Sequence, residues 1–94
     1  MRLKMFAVFD NKADLYLTPF FMPANGQAVR AFSDLANDVA TIVGRHPDDY
    51  KLVFVGELDD ATAEFYPAGL VSLGFGSDFV KKSNIVPLGG VSHG

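Results

Sequence analysis

The side chains best suited to catalysis or metal binding in this sequence are its two histidines and their carboxylate neighbours. His46 is followed by Asp48 and Asp49, a grouping suited to a metal ion or to an acid–base pair. Pro47 holds His46 extended and aspartates favour turns, so a loop braced by these side chains is the commoner explanation. His93 stands next to the last residue, where little holds it in place. We therefore expect no catalytic site and no metal site.

Other motifs that carry chemistry are weak or missing in the sequence. The neighbouring carboxylates of Asp59 and Asp60 point apart on a turn and are expected in solvent. Gly74 and Gly76 lack the third glycine and the strand-to-helix setting of a dinucleotide loop, and no GxxxxGK[ST] pattern occurs. The sequence contains no cysteine, which excludes disulfides and thiolate chemistry. We expect a protein that is not an enzyme and that uses no cofactor.

Cations and aromatic rings near the start of the chain are the strongest indication of a ligand in this sequence. They favour single-stranded nucleic acid. Arg2, Lys4 and Phe6 fall on one face of a predicted strand, and we expect Tyr16 or Phe20 of the next strand beside them. Rings set between cations are what a sheet that binds single strands displays. A second pair of cations stands near the other end. The predicted binding residues are Arg2, Lys4, Phe6, Tyr16, Lys81 and Lys82.

The charge balance opposes nucleic-acid binding. Eleven Asp and Glu against eight Lys and Arg give a net charge of −3, whereas binding by bulk electrostatics needs cations that displace counterions. The alternative is that Phe6 and Val8 pack against a second subunit while Arg2 and Lys4 border the contact. The acidic balance favours this alternative.

Two strands are predicted before the only clear helix. Residues 2–10 alternate as a strand with two partly apolar faces does, and residues 15–22 alternate likewise after a turn at Asp10, Asn11 and Lys12. We expect these strands to pair as a hairpin. Pro19 cannot donate to a strand ladder, so it predicts an interruption of the second strand.

The helix predicted over residues 26–38 organises the fold. Its apolar residues recur at spacings of three and four, and Asn25 is placed to cap the first turn. Phe32 is expected to anchor the helix in the core. Gly44 is a suitable terminator if the helix continues beyond residue 38. The predicted apolar stripe consists of Ala28, Phe32, Leu35, Ala36 and Val39.

Strands predominate again after the helix. Residues 51–58 predict a third strand, residues 62–66 a fourth that ends at Pro67, and residues 70–73 a brief fifth. The order ββαββ predicts an α+β domain in which an antiparallel sheet packs the helix on one face. We expect residues 1–80 to form this single domain, and residues 81–94 to form a tail that is flexible or docked on a partner subunit.

The composition and the start of the chain predict the oligomeric state and the location of the protein. Apolar residues make up 49% of the 94 residues and include nine Phe, more than a thin core hides, so we expect a dimer or a higher homo-oligomer. The start of the chain turns charged within ten residues, and no run of 18 apolar residues occurs. These features predict a protein of the cytoplasm that has no contact with a membrane.

A family resemblance adds to these expectations. The residues that carry it are K-x-F-x-V-x-D-x-K-A over residues 4–13, G-Q-A-x-R-A-F-x-D-L-x-N-D over residues 26–38, and H-P-x-D-Y-x-L over residues 46–52. In this pattern the chain resembles the small nonstructural protein of gokushoviruses, the single-stranded DNA phages of the Microviridae. The match covers about fifty residues in the correct order and thins out after Asp60.

The resemblance implies a phage protein of the bacterial cytoplasm that assists replication of a single-stranded DNA genome by binding single strands. It brings no catalytic residues with it. The alternative function is that of a protein–protein adaptor. Such an adaptor would use the exposed sheet face or the acidic turns to engage a phage replication or packaging protein, or a host factor, without binding DNA.

Overall fold

An antiparallel sheet of five strands carries one main helix on one face in the computed structural model, which describes residues 1–81. This arrangement confirms the predicted α+β class. Except for Lys81, the predicted tail lies outside the described residues. Single turns of 3-10 helix occur at Pro47–Asp49 and Gly76–Phe79. The other elements are β1 (Arg2–Asp10), β2 (Leu15–Tyr16), β3 (Phe20–Met22), α1 (Asn25–Ala36), α2 (Ile42–Arg45), β4 (Tyr50–Asp59) and β5 (Phe65–Phe75).

Strand β1 lies in the middle of the sheet. It pairs with β4 on one side and with β2 and β3 on the other, while β5 pairs with β4 at the edge. The turn from β1 to β2 is set by Asp10, whose Oδ1 accepts hydrogen bonds from the amides of Lys12 (2.9 Å) and Ala13 (3.2 Å). As predicted, these segments form a hairpin. Its second strand is interrupted at Pro19 and is therefore divided into β2 and β3.

Strand β5 differs from the prediction. The sequence predicted a strand that ends at Pro67 and a separate brief strand, but β5 continues across Pro67. This is possible because β5 is an edge strand, where one side of the backbone has no ladder partner and a missing amide hydrogen is tolerated. A bulge follows, in which three residues of β5 stand opposite Val55 alone. Within it, Gly69 and Leu70 have φ angles of 77° and 58°.

Helix α1 begins and ends earlier than predicted. It starts at Asn25, so Ala24 rather than Asn25 is its N-cap residue, and no side chain caps it. It ends at Ala36, and α2 is a separate helix rather than its extension. Asp38 contributes to this stop, because its Oδ1 accepts a hydrogen bond from the Ala40 amide at 2.9 Å and so favours a turn over another helical residue.

The main core lies between α1 and the sheet. Phe32 is 1% exposed, as predicted for the anchor of the helix, and its ring meets that of Phe79 edge-on with the centroids 5.9 Å apart. Leu35 and Val39 were predicted on the same stripe but are 40% and 75% exposed, and Val39 lies beyond the end of the helix. The buried core cluster consists of Phe6, Val8, Ala28, Phe32, Ala36, Val43, Tyr50 and Leu52.

Asn37 fastens the end of α1 to the chain that leaves β5. Its Nδ2 donates to the carbonyl groups of Ser33 (2.8 Å) and Phe79 (2.9 Å), and its Oδ1 accepts from the amide of Lys81 (2.8 Å). The side chain is partly buried, which strengthens such bonds relative to exposed ones. The backbone of Lys81 is consequently held on the helix side of the sheet.

Candidate nucleic-acid interface

The strand register determines which side chains share each face of the sheet. Side chains alternate along a strand and directly paired residues point to the same side, so β1 presents its even-numbered residues to α1 and its odd-numbered residues to the other side. The positions of Phe6 and Val8 in the core fix this assignment. We call the face without the helix the open face. Its paired residues are Leu3, Met5, Ala7, Phe9, Tyr16, Phe21, Lys51, Val53, Gly56, Leu58, Phe65, Pro67, Ser72 and Phe75.

Charge is distributed unequally between the two faces. Lys51 is the only charged residue of the described strands that the register places on the open face. The remaining charged strand residues, two cations and three carboxylates, lie on the helix side. They are Arg2, Lys4, Asp10, Glu57 and Asp59. The net charge of −3 therefore misrepresents the open face, whose strand residues include one cation and no carboxylate.

Three aromatic rings and Lys51 form a row across four strands on the open face. Phe9 pairs with Tyr16 on one side and with Lys51 on the other, and Lys51 pairs with Phe75. The ring centroids of Phe9 and Tyr16 are 4.7 Å apart, and Lys51 Nζ lies 5.3 Å from the centroid of Phe9 and 5.9 Å from that of Phe75. We call these four residues the aromatic row. Since neighbouring strands lie about 4.8 Å apart, the row spans about 14 Å.

The ammonium group of Lys51 is held in place by this arrangement. A cation within about 6 Å of an aromatic centroid is attracted to the negative face of the ring. Lys51 is within that range of two rings, one on each neighbouring strand. Its charge is therefore positioned in the middle of the row, with an apolar surface on either side.

A shallow apolar depression of about 180 Å³ adjoins the aromatic row on the open face. Tyr16 belongs both to the row and to the lining of the depression. Leu70, on the bulge of β5, borders it from the other edge of the sheet and is 54% exposed. All lining side chains except that of Tyr16 lack a hydrogen-bonding group. The lining consists of Met5, Ala7, Tyr16, Leu17, Pro19, Val55 and Leu70.

The prediction that Phe6 contacts nucleic acid is corrected by its burial. Phe6 is 0% exposed, because its side chain points towards α1 and into the core. Its ring packs against those of Phe20 and Phe54, with centroid distances of 5.8 and 5.5 Å. A fully buried ring cannot stack on a base, so Phe6 is a core residue.

The predicted binding residues Arg2 and Lys4 lie on the helix side of the sheet, where both have aromatic partners. Arg2 Cζ lies 3.8 Å from the centroid of Tyr66, and Arg2 Nη1 lies 3.8 Å from Glu57 Oε1. Lys4 Nζ lies 5.2 Å from the centroid of Phe54. The carboxylate of Glu57 partly neutralises this pair of cations, which makes it less suited to a phosphate backbone than its sequence suggested.

The structure does not bring the predicted binding residues together. Tyr16 was expected beside Arg2 and Lys4, but it pairs with Phe9 and so lies on the opposite face of the sheet. Lys81 is held at the end of α1, away from the open face. Lys82 lies outside the described residues.

Sequence analysis missed three members of the aromatic row, namely Phe9, Lys51 and Phe75. Phe9 was placed on the face opposite Phe6, but nothing in the sequence indicated that this face would lack a helix. The pairings of Phe9 with Lys51 and of Lys51 with Phe75 join residues far apart in the chain. The signal that was present is the alternation of β1, which already separated Phe9 from the buried side chains.

The loop at His46 forms a turn. The carbonyl group of His46 accepts a hydrogen bond from the amide of Asp49 at 3.0 Å, and the side chains of His46 and Asp48 are exposed. Within residues 1–81, no group of three or more His, Cys, Asp or Glu side chains is placed to hold a metal ion. Over the same residues, no helix has the length and apolar character needed to span a membrane.

The turn between β4 and β5 is tied to the start of the chain. The ammonium group of Met1 donates to Asp60 Oδ1 at 3.1 Å, and the amide of Asp60 donates to the carbonyl group of Met1 at 3.1 Å. The hydrogen bond to the carboxylate, followed by the Coulomb attraction, raises the pKa of the Met1 amino group. The ion pair is exposed, so it contributes little to stability.

The fold and its surface define a small α+β protein whose sheet leaves one face open, with rings and a cation aligned across that face. A family model described as Phage ORF5 protein matches residues 3–79, and the chain belongs to this family. Protein ORF5 of Chlamydia phage 1 is 29% identical over 79 residues, which cover 78% of this chain and 82% of that protein. The resemblance to the small nonstructural protein of gokushoviruses is thereby confirmed, and this is a bacteriophage protein of the Microviridae. No solved structure matches the chain.

Proposed function

We propose that this phage protein is an accessory in replication of the single-stranded DNA genome, and that it binds single-stranded DNA through the open face. It acts by binding, without catalysis, in the cytoplasm of the bacterial host. The observation that supports the proposal is the aromatic row. Rings aligned across a sheet give single strands a surface on which successive bases stack, with little dependence on sequence. Three rings over about 14 Å offer places for two or three bases.

The charge of the open face supports the same ligand. Carboxylates repel a phosphate backbone, and the strand residues of this face include none. Lys51 supplies one fixed cation for a phosphate group, while stacking supplies most of the binding free energy. Each phosphate contact to a single strand contributes about −0.7 to the slope of log K against log salt concentration. With one or two such contacts, we expect a slope between about −0.7 and −1.4.

The test is the affinity of the protein for a short fluorescent DNA strand, measured by anisotropy over a range of salt concentrations. Lys51→Ala removes the cation from the aromatic row, and Arg30→Ala removes one from the exposed surface of α1. Both variants change the net charge by the same amount. Since a hydrogen bond to a charged group is worth about 1.5–3 kcal/mol, we expect Lys51→Ala to weaken binding about tenfold or more and Arg30→Ala to have little effect. Absence of binding at low salt, or equal losses in both variants, contradicts the proposal.

A second candidate function, that of a protein–protein adaptor, is favoured by exposed apolar side chains on the open face. Tyr16, Phe21 and Phe65 of this face are each at least 40% exposed. Large apolar side chains grouped on one surface are typical of protein interfaces. The partner would be a phage replication or packaging protein, a host factor, or a second copy of the chain in a homo-oligomer.

The two functions are separated by affinity capture from infected cells with and without nuclease. A partner bound through DNA is lost after nuclease treatment, whereas a directly bound protein is retained. Light scattering of the purified protein gives its oligomeric state. A retained partner, together with no binding of DNA by the purified protein, would favour the adaptor over the proposed replication role.

A further inference from the structure

We infer that the apolar depression beside the aromatic row holds one thymine base of the bound strand, so that the protein prefers thymine-rich single strands. This inference rests on the proposed function, because it names the base that the same open face selects. Three observations carry it: the position of the depression, the chemistry of its lining and the charge around it.

The depression lies where a bound DNA strand would place the base that follows the one stacked on Tyr16. Tyr16 ends the aromatic row at the outer strand and also lines the depression. A strand with one base stacked on Tyr16 brings the neighbouring base to the depression, whose volume of about 180 Å³ is large enough for one pyrimidine ring. The phosphate that links the two bases meets no carboxylate from the strand residues of this face.

The lining determines which base fits best. A base enters such a site with its polar edge outwards, because burying donors and acceptors without partners is unfavourable. The edge that points inwards is then the C5–C6 edge of a pyrimidine, and among the DNA bases only thymine carries a methyl group there. Burial of one methyl group favours thymine over uracil about fourfold, the equivalent of about 0.8 kcal/mol.

Leu70 allows the lining to be changed with little effect on the fold. Its φ angle of 58° lies in the left-handed region, which Asn adopts more readily than Leu. The side chain is 54% exposed, so Leu70→Asn makes the lining polar without removing a core contact. Val71→Asn is the matched control. Val71 is the next residue, is 44% exposed and pairs with Phe54, which places it on the helix side.

The experiment compares oligothymidylate with oligodeoxyuridylate of equal length, two strands that differ only in the C5 methyl group. We expect the protein and Val71→Asn to bind oligothymidylate about fourfold more tightly. Leu70→Asn is expected to show a smaller preference for oligothymidylate, with its affinity for oligodeoxyuridylate nearly unchanged.

Each other outcome has a defined meaning. Equal affinity of the unaltered protein for both strands overturns the thymine site and leaves DNA binding intact, whereas no binding of either strand overturns the proposed function as well. A preference that is undiminished in Leu70→Asn means that the methyl group is bound elsewhere, which also overturns the inference. Light scattering completes the test, because a dimer that Leu70→Asn dissociates would assign the depression to a second copy of the chain.

Discussion

Replacement of Phe75 by Ala removes the ring at the β5 end of the aromatic row and tests base stacking most directly. Stacking on an aromatic side chain is worth about 1–3 kcal/mol per base, so loss of this ring should weaken binding about 5- to 150-fold. Phe75 is only partly buried, and its amide donates to Asp78 Oδ2 at 2.8 Å, a bond that the substitution leaves in place. Destabilisation should therefore stay below the about 3–5 kcal/mol expected for a fully buried Phe.

Phe65→Ala is the matched control for this substitution. Phe65 lies on the same strand and the same face as Phe75 and is 40% exposed, but it pairs with Leu58 at the other end of the sheet. Phe75→Leu keeps most of the apolar bulk and removes the ring. We expect Phe75→Ala and Phe75→Leu to lose most of the affinity for a labelled DNA strand, and Phe65→Ala to stay within about twofold of the unaltered protein.

The result that would refute stacking is an equal loss of affinity in Phe75→Ala and Phe65→Ala, because general apolar contact would then explain binding. Unchanged affinity in Phe75→Ala would refute it as well. Urea unfolding of each variant, monitored by circular dichroism, shows whether a loss of binding is caused by loss of the folded state.

Three further predictions concern the fold that supports the open face. Asn37→Ala removes two side-chain hydrogen bonds to the chain after β5 and one to Ser33 in α1, and we expect a loss of about 2–4 kcal/mol in the free energy of unfolding by urea. Gly44→Ala should lower the thermal midpoint of unfolding by many degrees, because a Cβ there clashes with backbone carbonyl groups at the end of α1. Gly26→Ala is the control. A Cβ at Gly26 meets nothing within 4 Å, so the midpoint should stay equal or rise. The ion pair with Asp60 raises the pKa of the Met1 amino group above 8.0. Its small contribution to the free energy of unfolding is therefore complete below pH 8.0 and is lost as the pH rises through the raised pKa. In Asp60→Asn, NMR titration should give a lower pKa for the amino group.

Local signals in the sequence predicted the parts of the fold that depend on neighbouring residues. The alternation of residues 2–10 gave β1, the missing amide hydrogen of Pro19 gave the break between β2 and β3, and helical spacing identified Phe32 as a core residue. The prediction that a strand ends at Pro67 was wrong, because a strand tolerates proline when it lies at the edge of a sheet. The position of a strand in a sheet is a property of the tertiary fold, which the residues near Pro67 do not reveal.

The candidate site was predicted only in its chemistry. Cations beside aromatic rings were expected, and such pairs occur on both faces of the sheet. Among the residues named, Tyr16 lies on the open face, whereas Arg2, Lys4 and Phe6 lie on the helix side. Strand alternation separates residues into two sets, but only the packing of α1 decides which set is buried. Lys51 was therefore indistinguishable from any other cation in a strand.

The separation of charge between the two faces answers the objection that an acidic protein is a poor ligand for DNA. Bulk charge matters when many phosphates are neutralised at once, as in proteins that coat a duplex. The open face has too few cations for that mode and instead offers rings, whose contribution to binding does not depend on counterion release. The carboxylates of the strands lie on the other side, where Glu57 pairs with Arg2. Acidic composition and single-strand binding are therefore compatible in this fold, provided that affinity comes chiefly from stacking. A steep salt dependence would contradict this argument even if the protein bound DNA.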